Sequence, residues 1–315
     1  MKIVKAVAPY IHPGELNFKT APYEAWVKFG GATAKSHYPY RMLHGLAFRH
    51  ELPTILKSSK ETRLRFVEPV SLFFDTFPDY AHYEIIPFVW DCWPRYFEKM
   101  CHWMKKHHVR TAIFTSSQTA ERMRQRFPEM NILYCPEAVD SSYYKQGRSL
   151  KERSIDLLEF GRGSGIVFNE NDNQNENKKL RYVCTKVNGR FTYTNEELYD
   201  AMGDAKVTIA LPRSITQPEV AGDIETLTQR YWECMLSRMV ILGQAPKELT
   251  DLIGYNPVIN LDKENATEQI LDILAHIKDY QELVDRNRET ALQLGGWTHR
   301  MEGIISWLQK NNYRI

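Results

Sequence analysis

The sequence predicts an α/β protein built of two parallel-sheet units in series, and three observations predict it. Apolar strand-like runs alternate with helix-like runs over residues 83–134, and do so again over 155–261. Such alternation places strands side by side and in parallel, with the helices as crossovers. A polar stretch, residues 140–153, separates the two series with Ser-Ser-Tyr-Tyr and Gly147-Arg-Ser. Charge divides at the same place. Residues 1–150 carry 21 Lys and Arg against 14 Asp and Glu, a net of +7, whereas the remainder nets −5. A length of 315 residues suits two domains.

Each element has a local reason. Residues 1–9 read as a first strand rather than a leader peptide, because Lys5 interrupts the apolar run. Residues 83–89 are densely apolar and form a buried strand. A helix follows over 94–107, where Tyr96, Met100, Trp103 and Met104 recur at helical spacing. Residues 111–114 and 131–134 are short strands. The helix between them is capped by Ser116 or Ser117 and stopped by Pro128. In the second series, strands are expected at 155–160, 180–184, 206–211, 239–243 and 258–261. Thr194 caps a helix over 195–202, with Glu197 completing a capping box. Further helices fall at 226–236, 246–252, around Ile270–Ile277, and at 298–309. Residues 169–177 hold no apolar side chain and read as a solvated loop. Residues 9–80 are rich in Pro, Tyr, Phe and His without a clean period, and irregular structure is expected there.

Composition excludes several classes. Hydrophobic residues at 43% and charged residues at 25% rule out a wholly disordered chain. The apolar runs are too short to span a bilayer. The five cysteines, Cys92, Cys101, Cys135, Cys184 and Cys234, are odd in number and form no C-x-x-C pair. They read as free thiols of a reducing, cytoplasmic compartment, and no metal site or cofactor is expected. No nucleic-acid motif stands out.

Two segments carry chemistry. Gly161-Arg162-Gly-Ser-Gly165 directly follows a strand. Glycines there would let backbone approach a phosphate, and Arg162 would donate paired hydrogen bonds to it. A dinucleotide fingerprint would open a helix, and a polar tract follows instead. The second segment is Glu225-Thr226-Leu227-Thr228-Gln-Arg230-Tyr-Trp-Glu233. Residues 226–228 would lie at a helix N-terminus suited to phosphate. Glu233, about two turns on, would accept hydrogen bonds from ribose hydroxyls.

Glu225-x7-Glu233, followed by Met235-Leu-Ser-Arg-Met-Val-Ile-Leu-Gly243, resembles the nucleotide-sugar site of GT-B glycosyltransferases, in particular the retaining family-4-like and CgeB-like groups of bacterial surface-polysaccharide synthesis. Leu157-Leu-Glu-Phe-Gly-Arg162, Glu197-Leu-Tyr-Asp-Ala-Met-Gly-Asp-Ala205 and Tyr134-Cys-Pro-Glu-Ala-Val-Asp140 resemble further family stretches in the same order, so the resemblance covers residues 110–260. It implies two Rossmann-like domains facing a cleft: an acceptor-binding domain over 1–148, a nucleotide-sugar domain over 149–295, and a last helix over 296–315 returning to the first. It also implies metal-independent transfer, with retention, from a nucleotide-diphosphate sugar to a glycan or lipid-linked glycan. Glu225 would orient the donor sugar. Arg162 and Arg230 would neutralise the leaving diphosphate beside Gly161, Thr226, Leu227 and Thr228. Asp91, in Pro87-Phe-Val-Trp-Asp91, would be the acceptor-side carboxylate.

The chain also departs from the family. Val167 stands where a diphosphate-binding lysine is usual, so that role is vacant or passes to Lys178, Lys179 or Arg230, and hydroxyl residues replace the glycines after Glu225. Gly30-Gly31 is a weak candidate for the missing N-terminal phosphate loop. A sugar-nucleotide epimerase on this fold and a non-catalytic nucleotide-sugar binder are the alternative readings. Finally, the basic stretch Lys105-Lys106-His-His108-Val-Arg110, with Arg122, Arg124 and Arg126, predicts peripheral contact with an anionic membrane surface.

Overall fold

The computed structural model describes residues 1–9, 19–35, 60–161, 163, 180–187 and 190–315. In the first half of the chain these form β1 (Lys2–Val7), α1 (Thr20–Lys28), β2 (Thr33–Ala34), β3 (Glu61–Val67), α2 (Leu72–Thr76), α3 (Asp79–His82), β4 (Glu84–Val89), α4 (Pro94–Lys106), β5 (Thr111–Phe114), α5 (Ser117–Arg126) and β6 (Asn131–Tyr134). The second half adds β7 (Ile155–Glu159), β8 (Tyr182–Cys184), β9 (Lys186–Val187), β10 (Arg190–Phe191), α6 (Asn195–Asp204), β11 (Ala205–Ala210), α7 (Arg213–Thr216) and α8 (Pro218–Ala221). Then follow α9 (Gln229–Leu236), β12 (Val240–Gly243), α10 (Lys247–Ile253), β13 (Val258–Asn260), α11 (Ala266–Ala275), α12 (Gln281–Leu294), α13 (Trp297–Lys310) and β14 (Tyr313–Arg314).

The chain divides into two compact units. Unit 1 comprises Met1–Glu137, Glu219–Thr226 and Trp297–Ile315; unit 2 comprises Ala138–Pro218 and Leu227–Gly296. The sheet of unit 1 runs β14-β1-β3-β4-β5-β6, with β2 beside β1, and every pairing is parallel. Unit 2 has the parallel order β13-β12-β11-β7-β8, and β9 and β10 form a separate antiparallel pair.

A parallel sheet is covered on both faces, so its strands are apolar on alternate residues in both directions. Unit 2 follows this rule. Leu158 and Ile241 pack with Tyr231, Trp232 and Met235 of α9. Their strand neighbours Leu157, Val240 and Leu242 pack on the other face with Ile270, Ile273 and Val284. In unit 1, Ile85, Val89, Ala112 and Phe114 meet Met100, Trp103 and Met104 of α4 and Met123 of α5. Phe88 and Trp90, stacked at 4.3 Å, both meet Trp297 of α13.

Several expected caps are present. The Ser116 hydroxyl accepts from the Thr119 N–H at 3.3 Å. Thr194 and Glu197 make both bonds of the capping box. All five cysteines are free thiols, four of them buried. No helix of the described residues is long and apolar enough to cross a membrane.

Three expectations are corrected. Residues 9–80 are not irregular where described, because β3 sits centrally between β1 and β4. Its alternating arginines disguise it as polar. Both are buried: Arg63 lies 3.7 Å above the Tyr83 ring and bonds Glu61, and Arg65 pairs with Asp79 at 3.1 Å. Gly30-Gly31 follows α1 instead of opening a helix, and a Cβ on Gly31 would lie 2.3 Å from the Trp26 indole, so that glycine makes room for a core tryptophan. The helix expected over 226–236 begins only at Gln229, for reasons seen in its contacts below. Residues 169–177 lie outside the described residues.

Candidate functional site

In parallel α/β sheets, chemistry gathers where strands end and helices begin. Unit 2 has such an edge at the end of β7, where Phe160 and Gly161 follow Glu159. The first turn of α9 meets this edge. The Arg230 guanidinium lies 4.8 Å over the Phe160 ring. Gly161 has φ +70, and a Cβ there would stand 1.9 Å from Arg230 Nη2. The left-handed backbone favours glycine here, and any side chain would also have to displace the arginine end lying against it. The Tyr231 hydroxyl donates to the Gln244 carbonyl at 2.6 Å, fixing α9 to the end of β12.

One helical turn beyond Arg230 stands Glu233, half-buried. The Tyr144 hydroxyl donates to its Oε1 at 2.9 Å. Burial raises the Glu233 carboxyl above its ordinary value, while the Tyr144 hydrogen bond and the Arg230 charge oppose that rise. Burial and the neighbouring carboxylate also push the Tyr144 phenol far upward, so its hydroxyl remains a donor. Tyr144 packs edge-on to Tyr199 of α6 at 5.2 Å. Nothing in sequence spacing marks Tyr144, which lies in the polar connector 89 positions from its partner.

The stretch before α9 is held by other groups. Leu227 is fully buried, and its N–H donates to Glu248 Oε2 of α10 at 2.7 Å. The Thr226 hydroxyl donates to the Thr115 carbonyl at 3.3 Å. These two bonds hold Thr226 and Leu227 out of the helix. Thr228 becomes the N-cap residue in extended conformation, without a side-chain capping bond.

Glu225 belongs to unit 1, whereas Arg230 and Glu233 belong to unit 2. Residues 223–226 are pinned by one face of α5. Gln118 Nε2 donates to the Asp223 carbonyl at 3.0 Å, and the Glu225 N–H donates to Gln118 Oε1 at 2.7 Å. One turn on, Arg122 Nη2 bonds both oxygens of Asp223, at 2.8 and 2.7 Å. Beneath them Val220, Ala221 and Ile224 pack against Trp93 and Tyr96.

Asp91 follows β4 and Trp90, with φ +51, a left-handed conformation uncommon outside glycine. Near it lies a charged group the sequence did not reveal. Lys19 pairs with Glu68 at 3.1 Å and Asp75 at 3.2 Å. Burial, together with the charges of Asp91 and Asp75, raises the Glu68 carboxyl despite Lys19. A lysine just before α1 and a glutamate just after β3 give no common motif, so sequence alone could not join them. Arg162, Lys178, Lys179 and Val167 lie outside the described residues. Among the described residues, no group of three or more His, Cys, Asp or Glu could hold a metal ion.

The architecture has solved counterparts. HepE of Anabaena, in complex with UDP-glucose, is 10% identical, with 98% of this chain and 100% of HepE covered at a TM-score of 0.57. AviGT4, a glycosyltransferase involved in avilamycin A biosynthesis, is 13% identical, with 98% of each chain covered at 0.52. TarM is 9% identical at 0.55; 84% of this chain is covered, and this chain spans 57% of TarM. The chain has the GT-B fold. At such identities the likeness carries the fold and not the chemistry. No protein-family model matches the chain, and no curated relative does. In the GT-B frame, Gly161, Arg230 and Glu233 all lie in unit 2, and Asp91 and Glu225 lie in unit 1.

The basic surface expected to meet membranes is partly spent internally. Arg122 pairs with Asp223 and Arg124 with Glu121, and His107 is buried between Tyr80 and Trp103. Lys105 and Arg110 are exposed.

Proposed function

We propose that the protein transfers a sugar from a nucleotide-diphosphate sugar to a glycan or lipid-linked glycan acceptor, with retention, in bacterial surface-glycan synthesis. The observation that carries the reading is the Tyr144–Glu233 pair, a shielded carboxylate one helical turn from Arg230, whose guanidinium lies against Gly161. Such a carboxylate suits vicinal hydroxyls of a ribose, while the neighbouring cation suits a diphosphate. The GT-B fold and its neighbours, among them the glycosyltransferase AviGT4 and HepE in complex with UDP-glucose, support this assignment.

In the proposed mechanism Glu233 holds the ribose. Arg230 and Arg162 offset charge that grows on the leaving diphosphate, the interaction that lowers the barrier most in transfers of this kind. Glu225 orients the donor sugar. Asp91 and the Lys19–Glu68 pair lie in the unit assigned to the acceptor. No step is routed through a metal ion. The exposed Lys105 and Arg110 would bring the protein to an anionic membrane face, where lipid-linked acceptors reside. Salt-sensitive flotation with anionic vesicles, lost on charge reversal at Lys105, checks that part.

The function is tested by incubating the protein with a panel of UDP-, GDP- and ADP-sugars and measuring nucleoside-diphosphate release. NMR of the product then reads the anomeric configuration. Release in the presence of EDTA, with a retained configuration, is the expected result. An isomerised sugar nucleotide with no diphosphate release would instead identify an epimerase.

A further inference from the structure

We infer that Tyr144 is a positioning residue for nucleotide binding: its hydroxyl fixes one oxygen of Glu233, so that the other edge of the carboxylate is presented to the ribose. The inference rests on the proposed donor role of Glu233 and adds a residue to it.

The geometry is specific. Tyr144 Oη bonds Oε1 at 2.9 Å, and the tyrosine is 7% exposed. Its ring is held by Tyr199, which itself stacks in parallel on Tyr143 at 5.7 Å. The preceding turn, Ser141–Tyr143, is closed by Asp140, whose Oδ1 accepts from the Ser142 N–H at 2.9 Å. A carboxylate on a helix otherwise rotates freely about its last torsion. One fixed oxygen removes that freedom before ligand arrives, which is how preorganisation raises affinity. Among the described residues the structure gives Oε2 no hydrogen bond, leaving it as the acceptor for a ligand hydroxyl.

The same bond has an electrical consequence. Several elements bring groups to Glu233: Arg230 and Cys234 lie on its own helix, Tyr144 on the connector, and Tyr199 on α6, while the Asp140 charge acts on Tyr199. From α12, Arg288 reaches the far end of α9 at the Leu236 carbonyl. Burial raises the carboxyl, and Tyr144 is the neutral donor holding it down. Ribose hydroxyls bind the ionised form best, because they donate to it. Ligand affinity therefore falls as pH drops through the Glu233 pKa, and loss of the Tyr144 hydroxyl moves that fall to higher pH.

The test is isothermal titration of the full chain with UDP, GDP and ADP between pH 5 and 8, comparing wild type, Tyr144→Phe, Glu233→Ala and the double variant. Phenylalanine keeps the ring packing on Tyr199, and a thermal melt confirms that each variant is folded. The expected result is a loss of about tenfold in affinity for Tyr144→Phe at neutral pH, as for one charge-assisted hydrogen bond, widening as pH falls. In the Glu233→Ala background the same substitution should change little, since the two residues act through one bond. Two results would overturn the inference while leaving the donor reading intact. One is weakened binding in Glu233→Ala with Tyr144→Phe unchanged. The other is a loss in Tyr144→Phe that is independent of pH and additive with Glu233→Ala. Wild-type protein that binds none of the three nucleotides removes both readings.

Discussion

Glu225 and Glu233 stand in one short stretch of chain, yet they are held from opposite ends. Glu225 is anchored through its main chain, by the N–H that Gln118 accepts at 2.7 Å. Glu233 is anchored through its side chain, by the Tyr144 hydroxyl. The first belongs to the unit of β4 and α5, the second to the unit of β7 and α9. A motif that looks continuous in sequence is thus two devices. One fixes a stretch of backbone; the other fixes a side chain on a helix.

The comparison is most sharply broken by exchanging the effects of the two glutamates. Glu233→Ala should weaken nucleoside-diphosphate binding by about 1–3 kcal/mol, while Glu225→Gln should lower turnover with little change in that affinity. Calorimetry and steady-state rates read the two, and equal loss of affinity in both variants would erase the distinction. Gly161→Ala probes the side-chain device next. The left-handed backbone should cost about 1–2 kcal/mol in denaturant unfolding. Its new methyl group would also drive Arg230 from the Phe160 ring, so nucleotide affinity should fall as well.

Gln118→Ala tests the main-chain device. It removes the hydrogen bonds to the Glu225 N–H and the Asp223 carbonyl, and should cost about 0.5–1.5 kcal/mol in stability. Turnover should fall while nucleotide affinity stays. The smallest effect belongs to Asp223→Asn, which weakens an exposed ion pair worth about 0.2–1 kcal/mol. The hydrogen bond from Arg122 lowers the Asp223 pKa in the folded state. Its contribution is therefore present above the ordinary aspartate value of 3.8 and lost as pH falls through the lowered one. A wild-type stability profile that matches the variant's across that window would show the pair to be inert.

Much of the scaffold was legible because parallel strands are apolar runs with caps between them. β5 and β6 fall at the expected residues, and β4, β12 and β13 within one of them. The failures have a common cause, which is long-range pairing of polar groups. β3 reads as charged because its arginines meet Glu61, Tyr83 and Asp79 only after folding. Thr226 and Leu227 look like a helix start, but bonds to Thr115 and Glu248 decide otherwise. The positions of Arg230 and Glu233 on a helix could be read from spacing, whereas Tyr144, Gln118 and Lys19 could not, since each meets a partner distant in sequence. Local pattern tells which element a residue joins, and tertiary contacts tell which atoms it meets.

The pairing of β14 with β1 has a consequence for how the chain comes to be folded. Lys2 and Ile3 register with Tyr313 and Arg314, and the Tyr313 hydroxyl bonds Thr111 and Glu84. During synthesis the residues of β1 leave the ribosome long before their partners. Unit 2, nearly contiguous in sequence, can close while the sheet of unit 1 still waits for its last strand and for α13. Contacts between such distant residues form late, because the loop they close is long. Until then Trp90 and Phe88 lack the Trp297 contact that covers them. The nascent first unit is thus the aggregation-prone partner, and it depends on the arrival of the final helix for its protection.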